Sequence, residues 1–135
     1  MKIVALLLAA ASTGASSLPP SPPRPLTTTD INQIVGAVLT HVKVAQYLHP
    51  GMPGRLPVKI TIAAPYSDTQ PGLVLYNRPV VVVVAGADAV NFKIDRTVEG
   101  AKADISYRPE GMGGTVLLIK VRNRWMVSSA SVHEY

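Results

Sequence analysis

The residues best suited to metal binding or acid–base chemistry are three histidines, and their spacing favours neither. His41 and His49 lie eight residues apart on a predicted helix, whereas two histidines that share an ion on a helix lie three or four residues apart. His133 lies near the C-terminus, where chains are commonly poorly ordered. The sequence therefore predicts no metal site and no cofactor.

Serines close to His133 raise the alternative of nucleophilic catalysis. Ser128, Ser129 and Ser131 fall on a predicted strand, where neighbouring side chains point to opposite faces. The strained Gly-x-Ser-x-Gly turn that exposes a nucleophilic serine is absent around them. Small alternating serines are more typical of a sheet surface, so we predict no catalytic residue.

Two further patterns have ordinary structural interpretations. The glycine-rich stretch 111–114 lacks the Lys-Ser/Thr pair of a phosphate-binding loop and is predicted to be a turn. Asp95 and Asp104 could form a carboxylate pair for acid–base work, but they lie on different predicted strands and face away from the core. Arg108 and Glu110 flank Pro109 at a strand end, where one of them could pair with an incoming anion, although a surface ion pair is the favoured interpretation.

The N-terminus has the features of a secretory signal peptide. Lys2 supplies the positive charge, residues 3–11 are apolar, and small residues precede a cleavage point after Ala15. Residues 1–15 are therefore predicted to be a signal peptide, too short in its apolar part to be a stable membrane anchor. The prediction is a periplasmic or secreted protein, of bacterial type because cysteine is absent.

A proline-rich linker and one domain are predicted to follow the signal peptide. Residues 16–26 contain five prolines and favour an extended, semi-rigid spacer. Residues 27–135 are long enough for a single domain with its own core. The net charge of +5 is scattered rather than clustered, so we predict no nucleic-acid partner.

The domain is predicted to open with one amphipathic helix of about eighteen residues. A cluster of N-capping residues, 27–30, precedes apolar side chains with helical spacing. We expect the helix to end near His49, because Pro50 follows. The apolar face comprises Ile31, Ile34, Val35, Val38, Val42 and Ala45.

Strands are predicted for the rest of the domain. Two-residue alternation marks residues 58–62, 90–95 and 101–107, and the unbroken β-branched run 80–85 predicts a central strand covered on both faces. Strands 115–121 and 125–132 complete an antiparallel meander. The predicted class is α+β, with one N-terminal helix packed on a curved antiparallel sheet of about five or six strands.

The closing stretch, residues 98–132, resembles the end of the cystatin-like and nuclear-transport-factor-two-like α+β superfamily. The resemblance rests on the strand 101–107, a glycine-rich turn, the strand 115–119 and a last strand that begins at Trp125. It covers about a third of the chain and implies a helix in the concave face of a curved sheet. The Gln-x-Val-x-Gly loop of cystatin inhibitors and a convincing Asp–His pair are missing, so the resemblance implies a scaffold rather than an activity.

Two functions are compatible with these observations. The leading prediction is a non-enzymatic exported domain that binds a partner protein or a small ligand through Tyr76, Tyr107, Arg108 and Trp125, because aromatic residues and arginine dominate binding surfaces. Pairing of two copies through the sheet would give a homodimer. The alternative is a small transport-factor-like enzyme, an isomerase or cyclase, with an acid and a histidine in an apolar pocket.

Overall fold

The computed structural model describes residues 24–135. The predicted signal peptide and most of the predicted linker lie outside the described residues. The described chain contains one main helix, a one-turn second helix and two sheets, which confirms the α+β class. The elements are α1 (Thr28–Thr40), α2 (Val42–Ala45), β1 (Lys59–Ile62), β2 (Val74–Leu75), β3 (Arg78–Pro79), β4 (Val81–Val82), β5 (Val90–Arg96), β6 (Ala101–Tyr107), β7 (Met112–Val121) and β8 (Arg124–Glu134).

A reciprocal cap fixes the start of α1. The Thr27 hydroxyl accepts a hydrogen bond from the Asp30 backbone N–H at 3.1 Å, and the Asp30 carboxylate accepts one from the Thr27 N–H at 2.9 Å. This capping box satisfies two donors that a helix start would otherwise leave unpaired. The predicted N-terminal boundary of the helix is thus confirmed.

The predicted C-terminal boundary is wrong, because the helix breaks at His41. His41 has extended backbone angles, and its Nδ1 accepts the Lys43 N–H at 3.2 Å to cap α2. The preceding residue is Thr40, whose hydroxyl donates to the carbonyl of Gly36, one turn earlier, at 2.7 Å. Such a local bond competes with the helical backbone and is frequent where helices bend. The break turns the Val42 side chain away from the core, so that 74% of its surface is exposed to solvent.

The main sheet has six strands in the order β4-β1-β5-β6-β7-β8. Strands β5 to β8 form the predicted antiparallel meander. Strand β1, however, is parallel to both β4 and β5, so the sheet is mixed and not wholly antiparallel. Long connections before and after β4 permit this parallel pairing, since a tight turn can join only antiparallel strands.

The valine run 80–85 is not a central strand. Only Val81–Val82 form a strand, and it lies at the edge of the sheet beside β1. Val84, which follows it, is fully exposed. A continuous β-branched run favours extended backbone, but it does not determine which other strands will cover it.

The hydrophobic core lies between α1 and one face of the sheet. Alternate residues of β5 and β6 point into it, as the burial of Phe92, Ile94, Ala103 and Ile105 shows. The helix contributes the buried residues Ile31, Ile34, Val35, Val38 and Leu39. Within residues 24–135, none of the helices has the length and apolar character needed to cross a bilayer.

Two of the β-hairpins are closed by two-residue turns with left-handed backbone. Tyr76 and Asn77 join β2 to β3 with φ values of 53° and 64°, and Arg122 and Asn123 join β7 to β8 with φ values of 52° and 66°. Two consecutive positive φ values match the twist of a tight hairpin. The β2–β3 hairpin forms a sheet of its own, and Leu73 and Leu75 pack against the core.

Candidate functional site

The four residues predicted to contact a ligand lie in three different environments. Tyr76 is exposed at the tip of the β2–β3 hairpin, and Arg108 is exposed in a short 3-10 helix, Arg108–Glu110. Tyr107 and Trp125 point from β6 and β8 into the core, with 4% and 5% of their surfaces exposed. The structure therefore does not bring the four side chains together on one surface.

Tyr107 belongs to a polar cluster around Glu110. The Arg55 guanidinium donates to Glu110 at 2.6 Å and approaches the Tyr107 hydroxyl at 3.5 Å, while His49 Nε2 lies 3.2 Å from the other Glu110 oxygen. The hydrogen bond from Arg55 is the main cause of a lowered pKa of Glu110. Glu110 thus forms ion pairs with residues far away in sequence, and Arg108 is not one of its partners.

Trp125 is held by Asp30, the buried carboxylate of the capping box. The indole Nε1–H donates to Asp30 Oδ1 at 2.9 Å, and Lys120 Nζ donates to the same oxygen at 3.0 Å. Burial alone would raise the pKa of Asp30, but the hydrogen bonds from Thr27, Trp125 and Lys120 outweigh burial and hold the pKa well below its usual range. Asp30 therefore stays ionised and fixes the indole ring.

A groove opens between α1, the β2–β3 hairpin and the start of β8, beside the fixed Trp125 ring. We call it the helix–hairpin groove. Its volume is about 420 Å³, within the range of small-molecule sites. Its walls are formed by Asn32, Gln33, Gly36, Ala37, Thr40, Leu73, Val74, Leu75, Arg124 and Trp125.

The walls of the helix–hairpin groove combine apolar and polar groups in nearly equal measure. Gln33 is already engaged, because its Oε1 accepts the Trp125 backbone N–H at 3.0 Å. The Oδ1 atom of Asn32 is buried and has no hydrogen-bond partner among the described residues. Arg124 is exposed at the rim and forms no ion pair with any residue in the described part of the chain.

These features define what the helix–hairpin groove could accept. The Asn32 carbonyl oxygen is shielded from solvent, so it is not presented to a ligand in the groove. The Arg124 guanidinium would attract an anionic group. The fitting ligand has an apolar part, which lies against Trp125 and the leucine and valine side chains, and a negative charge.

The groove residues were mostly missed at the level of sequence. Trp125, one of the predicted contact residues, does form one wall, but Asn32 and Gln33 carry no signal beyond the polar side of a helix. The hairpin wall is formed by Leu73 and the strand Val74–Leu75. The spacing of Thr27 and Asp30 is a capping-box pattern and was the one available clue to the Asp30 network.

The other potential chemical groups of the chain lie in ordinary sheet pairings. Asp95 is opposite Lys102, and Asp104 is opposite Lys93 and accepts a hydrogen bond from Thr115 at 2.7 Å, so the two carboxylates do not form a pair. Ser128 donates to the Leu117 carbonyl beside a bulge in β8. Residues 24–135 contain no group of three or more side chains placed to hold a metal ion.

Comparisons of the chain with protein-family models, with curated proteins and with solved structures found no match.

Proposed function

We propose that this protein is an exported, non-enzymatic binding domain that holds a small ligand in the helix–hairpin groove. The observation that carries the proposal is a groove of about 420 Å³ in which Trp125, apolar side chains of the hairpin and the Arg124 guanidinium line one space. Export follows from the predicted signal peptide and would deliver the domain to the periplasm or the medium.

The construction of the groove supports binding more than catalysis. Ligand sites are usually preformed and mostly apolar, with a few well-placed polar groups. Hydrogen bonds to Asp30 and Gln33 hold Trp125 in place before any ligand binds. The residues that line the groove include amides, a hydroxyl and a guanidinium but neither a carboxylate nor an imidazole, so the acid and histidine required by the enzymatic alternative do not meet there.

The scaffold is proposed to be of the cystatin-like type, in which the sheet curves around the helix. Burial of one face of β5 and β6 under α1 supports this arrangement.

Binding in the groove should quench the fluorescence of Trp125, the only tryptophan of the chain. A suitable probe is 1-anilinonaphthalene-8-sulfonate, which has an apolar aromatic body and one negative charge. We expect saturable binding of one probe per protein, and about tenfold weaker binding to Arg124→Gln, which corresponds to about 1.4 kcal/mol. The measurement is a titration that follows both Trp125 emission and probe emission.

A groove-filling variant provides the control for this titration. Ala37→Phe places a ring in the groove and should abolish saturable binding, whereas Gln46→Phe places the same ring on the exposed surface of the short segment after α2 and should leave binding unchanged. Circular dichroism would confirm that both variants are folded. Equal affinity of Ala37→Phe and the wild-type protein would show that the groove is not the ligand site.

A further inference from the structure

The two edges of the six-stranded sheet are finished differently. At the β8 edge, helix side chains occupy backbone groups: Gln33 accepts the Trp125 N–H, and Lys43 Nζ donates to the Ala130 carbonyl, both at 3.0 Å. At the β4 edge, the N–H groups of Val81 and Val83 point towards β1. They donate to the carbonyls of Val58 and Ile60, respectively, both at 2.9 Å. Backbone groups alternate in direction along a strand, so the N–H and C=O of Val82 point away from the sheet.

The β4 edge also exposes apolar side chains. Val81 is exposed to 39% and Val84 completely, within the uncharged run 80–85. Proteins usually protect a free edge with charges, prolines or a covering segment, as the β8 edge shows. Residues 80–85 contain no charge and no proline, and the strand that they form is only two residues long.

A second groove lies directly beside this edge, and we call it the β4-edge groove. It has a volume of about 420 Å³ and is lined by Ile62, Ser67, Asp68, Gln70, Val82, Val83 and Val84. One wall is the valine run with Ile62, and the other is the polar loop that follows β1. Asp68 is exposed and forms no ion pair with any of residues 24–135.

We propose that the β4 edge accepts an extended peptide segment of a partner protein as an added strand, with an apolar side chain in the β4-edge groove and a Lys or Arg opposite Asp68. Main-chain bonds to Val82 would supply affinity, and the alternate side chains would supply specificity, as in other cases of strand addition. The basic residue is inferred from the unpaired charge of Asp68.

The features of the edge favour this occupant over two others. A second copy of the chain would have to dock as a folded edge, and stable interfaces between folded copies bury about 1,200 Å² or more, whereas a peptide can add a side-chain contact in the β4-edge groove to its few backbone bonds. The proline-rich segment of this chain lacks many of the N–H groups that an added strand must donate. The β4-edge groove shares no residue with the helix–hairpin groove, so this inference does not depend on the proposed function.

A charge-swap experiment tests the proposal. The probe is a fluorescein-labelled, end-blocked nonapeptide in which Val and Thr alternate around one central Lys, and fluorescence anisotropy measures its binding to the domain. Asp68→Lys should weaken binding about tenfold, and a matched peptide with Glu in place of Lys should recover that loss on Asp68→Lys alone. If neither peptide distinguishes the wild-type protein from Asp68→Lys, the assignment of Asp68 is overturned.

Backbone pairing is tested separately from charge. N-methylation of alternate residues removes N–H donors from the peptide and should abolish its binding. Val82→Pro removes the outward N–H of β4, at a position that the pairing with β1 does not use, and should weaken binding. Ala37→Phe, which fills the other groove, should bind the peptide with unchanged affinity. Undiminished binding of the N-methylated peptide would overturn strand addition, and so would sedimentation evidence that the wild-type edge is occupied by a second copy.

Discussion

Replacing Asp30 with alanine should lower the free energy of unfolding by about 2 to 4 kcal/mol. The substitution removes the side-chain half of the capping box, which is worth about 1 kcal/mol, and leaves the buried Trp125 indole N–H without an acceptor, which costs about 1 to 3 kcal/mol. Lys120 loses its partner as well. Urea unfolding followed by Trp125 fluorescence and by circular dichroism would measure the loss.

Asp30→Asn separates the charge of this carboxylate from its shape. It retains an acceptor for the indole, so its loss of stability should be smaller than that of Asp30→Ala. Because the folded-state pKa of Asp30 is lowered, its ionisation stabilises the protein fully above the ordinary carboxyl pKa of about 4 and progressively less as the pH falls below it. The wild-type protein should therefore lose stability in acid more steeply than Asp30→Asn.

Glu99→Ala is the matched control for the Asp30 variants. Glu99 is an exposed carboxylate in the β5–β6 turn and forms no ion pair with the described residues. Its replacement should change the free energy of unfolding by less than about 0.5 kcal/mol. A similarly small change for Asp30→Ala would contradict the role assigned to the Asp30 network.

Gly100→Ala should destabilise the protein by about 3 kcal/mol or more. Gly100 is buried in the turn from β5 to β6, where its carbonyl accepts the Thr97 N–H at 2.9 Å and its own N–H donates to the Thr97 hydroxyl at 3.0 Å. A Cβ atom there would collide with the carbonyl oxygen of Leu118 on β7. Backbone cannot rotate away as a side chain can, so two strands would have to separate.

Gly51→Ala provides the comparison for this glycine. It is the same chemical change at a position where an added Cβ meets nothing within 4 Å and where φ is not positive. Thermal unfolding of the two variants side by side should show a large fall in Tm for Gly100→Ala and almost none for Gly51→Ala. Equal Tm values would indicate that β7 can move away from the turn without cost.

Local patterns were sufficient to predict the C-terminal meander. The strand 101–107 was predicted with the boundaries that the structure has, and β5, β7 and β8 differ from prediction by a few residues at their ends. Two-residue alternation survives in these strands because one face packs on α1 and the other faces solvent. The prediction was less accurate for β4, which does not have one face on α1 and the other in solvent.

The errors arise where a competing local hydrogen bond or a distant strand decides the outcome. The end of α1 depends on the Thr40 and His41 hydrogen bonds, which compete with a helical pattern that continues through Val42 and Ala45. The placement of the valine run depends on pairing with β1, more than twenty residues earlier in the chain. Neither choice leaves a periodic signal in the segment itself.

The candidate site is harder to predict than the fold for the same reason. Asp30 and Trp125 are 95 residues apart in sequence, and Gln33 and Trp125 are 92 apart. Their hydrogen bonds exist only after α1 has packed against β8. A single sequence shows an N-cap residue and a strand tryptophan, and gives no indication that one holds the other at the wall of a groove.

The unequal edges of the sheet also bear on self-association. Sheets polymerise into fibres when the free edge of one copy can join a complementary edge of the next, so that each addition creates a new place to grow. Here the valine edge of one molecule would have to meet the β8 edge of another, where Gln33 and Lys43 already hold the Trp125 N–H and the Ala130 carbonyl. These two bonds would have to break before a second copy could pair at those positions, which disfavours the growth of an open-ended polymer.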